Sequence, residues 1–122
     1  MNKELERWAL PVLKKYQQLL LLDSYLLTFK FTTDVDDCDK MHSLISYPYK
    51  EIIICYGKHS IGLWKEKKKE ELRQTLIHEL VHTLTNGLYE KSRYRYVTAN
   101  ELKDENEGLV DHIANIIVKL GV

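Results

Sequence analysis

The segment TLIHELVHTLTNG, residues 75–87, places the strictest limits on how this chain can fold. It holds two of the five histidines, His78 and His82, with Glu79 directly after the first. Apolar residues surround them at the spacing of a buried helix: Leu76, Ile77, Leu80, Val81 and Leu84. A helix packed into a core therefore has to find partners for three polar side chains.

The spacing of these three residues predicts a metal site. Histidines at positions i and i+4 of a helix project from one face, one turn apart, so both imidazoles can bind one ion. Glu79 lies roughly 100° around the helix from His78, which does not place it as a third ligand beside them. From there it can reach a water molecule on the open side of the metal, where a general base acts. We therefore predict His78 and His82 as ligands and Glu79 as the catalytic residue.

A catalytic zinc ion usually has three protein ligands, so one more is expected from another element. The last predicted helix offers six residues: Glu101, Asp104, Glu105, Glu107, Asp111 and His112. Helical geometry puts Glu107 and Asp111 on a line that Ala114 and Val118 continue, which indicates that they face a partner helix. We predict Glu107 as the third ligand and Asp111 as the acceptor for the second N–H group of a ligand histidine. The alternative is that Glu107 and Asp111 are solvent-exposed acids of the helix that bind no metal. The main apolar stripe of this helix is predicted to be Leu102, Leu109, Ile113, Ile116 and Leu120.

Length and charge limit the class of protein. The 122 residues suit one domain, residues 1–122, and 18 basic residues balance 18 acidic ones. A net charge of zero gives no indication of a nucleic-acid or membrane partner. No secretion signal is visible, and the longest apolar run is too short to span a bilayer, so a cytoplasmic location is expected. Cys38 and Cys55 form no CxxC pair, and no disulfide is expected.

Hydrophobic periodicity predicts the remaining elements. An amphipathic helix is predicted over residues 2–22, with a kink or break at Pro11. Strands are predicted over residues 25–31, 41–47 and 51–57 as an antiparallel meander, with a loop or short strand over 57–63. The helix that carries the histidines should run from 66 to 85 and end at Asn86 and Gly87. The last helix should begin at a capping box of Thr98 and Glu101 and reach Leu120, with Gly121 closing it.

The two histidine and carboxylate motifs together resemble a known family. HELVH, followed on the next helix by NEGLVD (residues 106–111), is similar to the gluzincin metallopeptidases, which pair HExxH with a downstream NExxxD helix. The resemblance covers roughly residues 75–114. It implies an α+β minimal zincin fold, with His78, His82 and Glu107 binding zinc, Glu79 as the base and Asp111 orienting a ligand histidine. Gluzincins are larger than this chain, which more closely resembles small single-domain zincin-like proteins.

The tyrosine and histidine that stabilise the transition state in that family have no motif-level match here. The candidates are Tyr89, Arg93, Tyr94, Tyr96 and His59. Tyr94 is favoured because it lies between the two motifs.

The expected function is zinc-dependent hydrolysis of peptide bonds, with zinc inferred from the type of ligand. Residues 51–56 are expected to rim the cleft and to pair with an extended peptide substrate. Three alternatives stay open. The protein could cleave one specific regulatory protein, it could use zinc only to hold its fold together, or it could be an interaction module without a metal.

Overall fold

A computed structural model of the chain describes residues 2–33, 41–46, 49–92 and 98–121, without the side chains of 87–92 and 99. Within these residues four helices and three strands form an α+β fold, as predicted. Their bounds are α1 Lys3–Leu19, β1 Leu26–Phe31, β2 Met41–Ser46, β3 Glu51–Tyr56, α2 Lys58–Lys65, α3 Lys69–Ser92 and α4 Ala99–Leu120. None of the described helices has a stretch long and apolar enough to cross a lipid bilayer.

The sheet is mixed, so the predicted antiparallel meander is wrong. Its strand order is β1-β3-β2, with β1 parallel and β2 antiparallel to β3. β3 takes the centre because it is the most apolar strand, and its residues Ile52, Ile54 and Tyr56 are fully buried. The prediction that residues 51–56 rim a cleft is therefore also wrong. β2 is the outer strand on the side next to α3.

One face of the sheet forms the core with α1 and α3. α1 begins at Asn2, whose side chain accepts a hydrogen bond from the backbone N–H of Leu5. The helix runs through Pro11 without a break. Its buried face outweighs the hydrogen bond that the proline removes: Leu5, Ala9, Leu13 and Tyr16. It ends before the predicted residue 22, because Leu21 adopts a left-handed conformation with φ 60°.

The segment after β3 is helical, so the loop or strand predicted over residues 57–63 is wrong. α2 buries Ser60 and Leu63. Lys67, with φ 61°, separates α2 from α3, so α3 starts at Lys69, later than predicted. α3 then continues through Gly87 to Ser92 and does not stop at Asn86. A glycine ends a helix only where it turns left-handed, as Gly121 does after α4 with φ 71°.

α4 begins at the predicted capping box, in which Thr98 and Glu101 bond reciprocally. It packs against α3 through a face different from the predicted apolar stripe. The buried residues of that face are Val110, Ala114 and Ile117. The predicted main apolar stripe is partly exposed, with Leu109 at 43%, Ile116 at 47% and Leu120 at 69% exposure. The line of Glu107 and Asp111 does turn toward α3, as predicted.

Candidate metal centre

Close packing fixes the position of the histidines on α3. Four apolar neighbours in the helix are fully buried and lock it against the core: Leu76, Ile77, Leu80 and Val81. This leaves the imidazoles of His78 and His82 on one face, with 21% and 16% of their side chains exposed. Glu79 is 6% exposed. The sequence pattern thus produces a well-packed helix with three polar side chains next to each other.

α4 runs antiparallel to α3 and brings Glu107 to both histidines. His78 Nε2 lies 3.2 Å from Glu107 Oε2, and His82 Nε2 lies 3.3 Å from Glu107 Oε1. The two Nε2 atoms are 3.1 Å apart. Ligands about 2.0–2.1 Å from a tetrahedral ion lie about 3.3 Å from one another, so these atoms fit three corners of a zinc site.

Asp111 fixes the proton on His78. Its Oδ1 lies 2.6 Å from His78 Nδ1, and because a carboxylate can only accept, the Nδ1 atom carries the proton. In the neutral ring, His78 Nε2 is then an acceptor that faces the Glu107 carboxylate and His82 Nε2. A nitrogen lone pair and a carboxylate oxygen 3.2 Å apart repel each other unless a cation or a shared proton lies between them. A carboxylate behind a ligand histidine is the arrangement that orients zinc-binding imidazoles.

The environment of His82 favours its neutral form, which is the form that can bind a metal ion. Burial lowers the pKa of this imidazole, against the opposing effect of the Glu107 carboxylate. A neutral imidazole is the form that binds a metal ion. Because the pKa is lowered, His82 stays neutral at a more acidic pH than an exposed histidine would.

Glu79 lies near the same two histidines, but it is Glu107 that contacts both of them. Ligand atoms of His78, Glu79 and His82 all lie within 4.8 Å of one another, so this group could hold a metal ion. The carboxylate of Glu107 is the better third ligand because it approaches both imidazoles within 3.3 Å. Glu79 therefore lies next to the triangle of His78, His82 and Glu107 without being one of its corners.

Two cavities meet at the centre and form a cleft. The first is about 360 Å³ and extends between α3 and α4. The second is about 530 Å³ and extends between β2 and the two helices. His78 and Glu79 line both. The second cavity is also lined by five polar residues that were not predicted as site residues: His42, Ser43, Asn86, Lys103 and Asn106. Asn106 had a signal in the sequence, because it stands directly before Glu107 in the NEGLVD motif.

The outer edge of β2 forms one wall of this cleft, and its hydrogen-bonding groups can be assigned. The carbonyls of Lys50 and Tyr56 accept hydrogen bonds from the chain on the β1 side. Alternate residues of a strand point their backbone groups to opposite sides, so Ile53 faces β2 and pairs there with Leu44. Leu44 and its alternate neighbours in β2 therefore hydrogen-bond to β3. The residues between them direct their backbone N–H and C=O groups away from the sheet: Met41, Ser43 and Ile45. All three line the second cavity.

The candidates for stabilising a transition state are not brought to this cleft by the described residues. His59 lies on α2 and is not among the residues that line the two cavities. Arg93, Tyr94 and Tyr96 lie outside the described residues, as does the side chain of Tyr89. Cys38 is outside them too, and Cys55 is buried and forms no disulfide with another described residue.

Comparisons of this chain with models of protein families, with curated proteins and with solved structures give no match.

Proposed function

We propose that the protein is a zinc-dependent metallopeptidase of the gluzincin type. The observation that supports this most is the triangle of His78, His82 and Glu107, with sides of 3.1 to 3.3 Å. Asp111 and Glu79 add the two further groups that such a centre needs, an orienting carboxylate and a nearby base. Nitrogen and carboxylate ligands in a three-sided arrangement favour zinc among the divalent ions.

The chain's own residues divide the work of hydrolysis between them. Zinc, when bound, supplies Lewis acidity that activates water and polarises a carbonyl group. Glu79 takes the proton of the attacking water and passes it to the leaving amine. Asp111 keeps the proton of His78 on Nδ1, so that Nε2 always presents its lone pair to the centre. No covalent intermediate with the protein is needed.

An extended peptide is the substrate that the cleft fits best. The outward N–H and C=O groups of Met41, Ser43 and Ile45 offer the backbone pairing that a peptide strand requires. Pairing along β2 would lay the peptide beside His78 and Glu79. β2, and not β3, takes the role of the rim.

The metal content of the purified protein tests the proposal. We expect about one zinc ion per chain, measured by inductively coupled plasma mass spectrometry, and a strong reduction in Glu107→Ala. Glu105→Ala is the matched control because Glu105 is an exposed acid on the same helix, outside both cavities. Full zinc in Glu107→Ala would move the third ligand elsewhere. A wild-type protein that binds no zinc even after zinc is added would contradict the proposal.

A pair of proline substitutions in β2 tests the peptide-binding edge. Ser43→Pro removes an N–H group that points into the cleft, which an edge strand tolerates. We expect the variant to fold and to show a KM for peptide raised about tenfold, the value of roughly one hydrogen bond. Leu44→Pro is the control, because its N–H pairs with β3. This variant should lose thermal stability.

Steady-state kinetics and circular dichroism distinguish the two effects. If Ser43→Pro binds and cleaves peptides like the wild type, the substrate does not pair with β2. A loss of stability equal to that of Leu44→Pro would contradict the assignment of outward groups.

A further inference from the structure

Among the described residues, α4 carries an apolar stripe that is largely exposed. It consists of the five residues of the predicted main apolar stripe: Leu102, Leu109, Ile113, Ile116 and Leu120. Three of them are 43% to 69% exposed, whereas Ile113 is partly buried against the core. At about 100° per residue, the stripe is centred roughly 150° from Glu107, so it faces away from the metal centre. Large side chains aligned on one side of a helix are typical of an interface.

The charges beside the stripe are arranged asymmetrically along the helix. Glu101 and Glu105 lie on one flank near the start of α4, and Lys119 lies on the same flank near its end. All three are exposed. The helix is thus acidic at one end and basic at the other, along one edge of the apolar stripe.

We propose that this face binds a second copy of the chain, through antiparallel pairing of the two α4 helices. Four of the five stripe residues lie symmetrically about Asp111. A two-fold axis at that level sets Leu102 against Leu120 of the other copy, and Leu109 against Ile113 of the other copy. Such a surface is self-complementary, as a two-fold interface must be.

The flanking charges select the antiparallel orientation. A two-fold axis perpendicular to the helices keeps equivalent flanks on the same side. Lys119 then lies between the levels of Glu101 and Glu105 of the other copy, about 3 Å from each along the axis. In a parallel pair, equivalent flanks lie on opposite sides of the interface, and Lys119 lies about 21 Å along the axis from the level of Glu105 of the other copy, so this attraction does not form. A second copy supplies the required opposite charges without any further partner.

The size of the surface indicates a weak dimer. α4 has 22 residues, so it is about 33 Å long. One helix from each copy buries an area at the small end of specific interfaces, below about 1,200 Å². The dimer should therefore dissociate upon dilution. The inference does not depend on peptidase activity, since the stripe and the cleft are on different sides of α4.

Sedimentation equilibrium of the full chain from roughly 1 to 500 μM tests the proposal. We expect a monomer–dimer equilibrium in the wild type and a Kd raised more than about tenfold in Ile116→Lys. Leu26→Lys is the control, because Leu26 is 67% exposed on β1, away from α4. Circular dichroism should show that both variants fold, since both positions are exposed.

Charge variants test the orientation. Lys119→Glu should weaken the dimer about fivefold, because it turns two symmetric attractions into repulsions. Adding Glu105→Lys to it should recover part of the affinity. A wild type that is monomeric at every concentration would overturn the proposal, and so would a dimer that Ile116→Lys leaves intact. Failure of Glu105→Lys to recover any affinity would overturn the antiparallel arrangement.

Discussion

Glu79→Gln is expected to reduce peptide hydrolysis by about 10²- to 10⁴-fold, the contribution of a general base. The amide keeps the size of the carboxylate but cannot accept a proton from water at neutral pH. Because Glu79 is nearly buried and lies outside the triangle of ligands, the fold and the zinc content should remain close to those of the wild type. Zinc content and initial rates on a peptide library measure the two effects separately.

The control for this variant is Glu70→Gln, the same chemical change on the same helix. Glu70 is exposed, pairs with Arg73 and lies outside both cavities. It should keep full activity. Equal activity of Glu79→Gln and the wild type would exclude Glu79 as the base. A wild type that binds zinc but cleaves neither the library nor a cellular protein would favour a metal that only holds the fold together.

His82→Ala is expected to lose zinc while the chain stays folded. Removal of one of three ligands should lower the affinity by more than about 100-fold, a larger effect than changing a residue that only orients a ligand. The fold should persist because α3 is held by fully buried apolar side chains: Leu76, Ile77, Leu80 and Val81. Zinc at about 100 times its Kd stabilises the wild type by about 2.7 kcal/mol, and this increment should be absent from the variant.

Thermal unfolding with and without zinc measures this difference. His112→Ala is the matched control, since His112 is an exposed histidine of α4 outside the two cavities. It should respond to zinc like the wild type. If His82→Ala is unfolded under all conditions, zinc is a structural requirement of the fold. If it responds to zinc normally, His82 is not a ligand.

The candidate site was predictable because its geometry is local. The i,i+4 spacing of His78 and His82 fixes their common face wherever the helix lies in the fold. The same holds for Glu107 and Asp111 on α4. To bring the two pairs together, the two helices have to pack side by side. The sequence indicated this packing, because two acids on an otherwise apolar line of a helix need polar partners.

The sheet and the packing face of α4 were not predictable in the same way. β1 pairs with β3, although β2 lies between them in the sequence. The alternation of apolar and polar residues within a strand does not indicate which other strand it pairs with. α4 has two apolar lines, and the one with the larger side chains, which includes Leu109 and Ile116, is not the one that packs against α3. The smaller side chains of Ala114 and Val110 let α4 approach α3 closely enough for Glu107 to reach the histidines.

The outward backbone groups of β2 also determine which side chains of a bound peptide would face the cleft. Only every second residue of the strand, beginning at Met41, offers backbone groups to the cleft. A partner strand in register must match this period, so it can shift along β2 only by two residues, or about 6.8 Å. Each shift returns the same side-chain face to the helices. Every second side chain of a bound segment would thus contact the cleft and contribute to specificity. The side chains between them would point into solvent, so their identity would not affect binding.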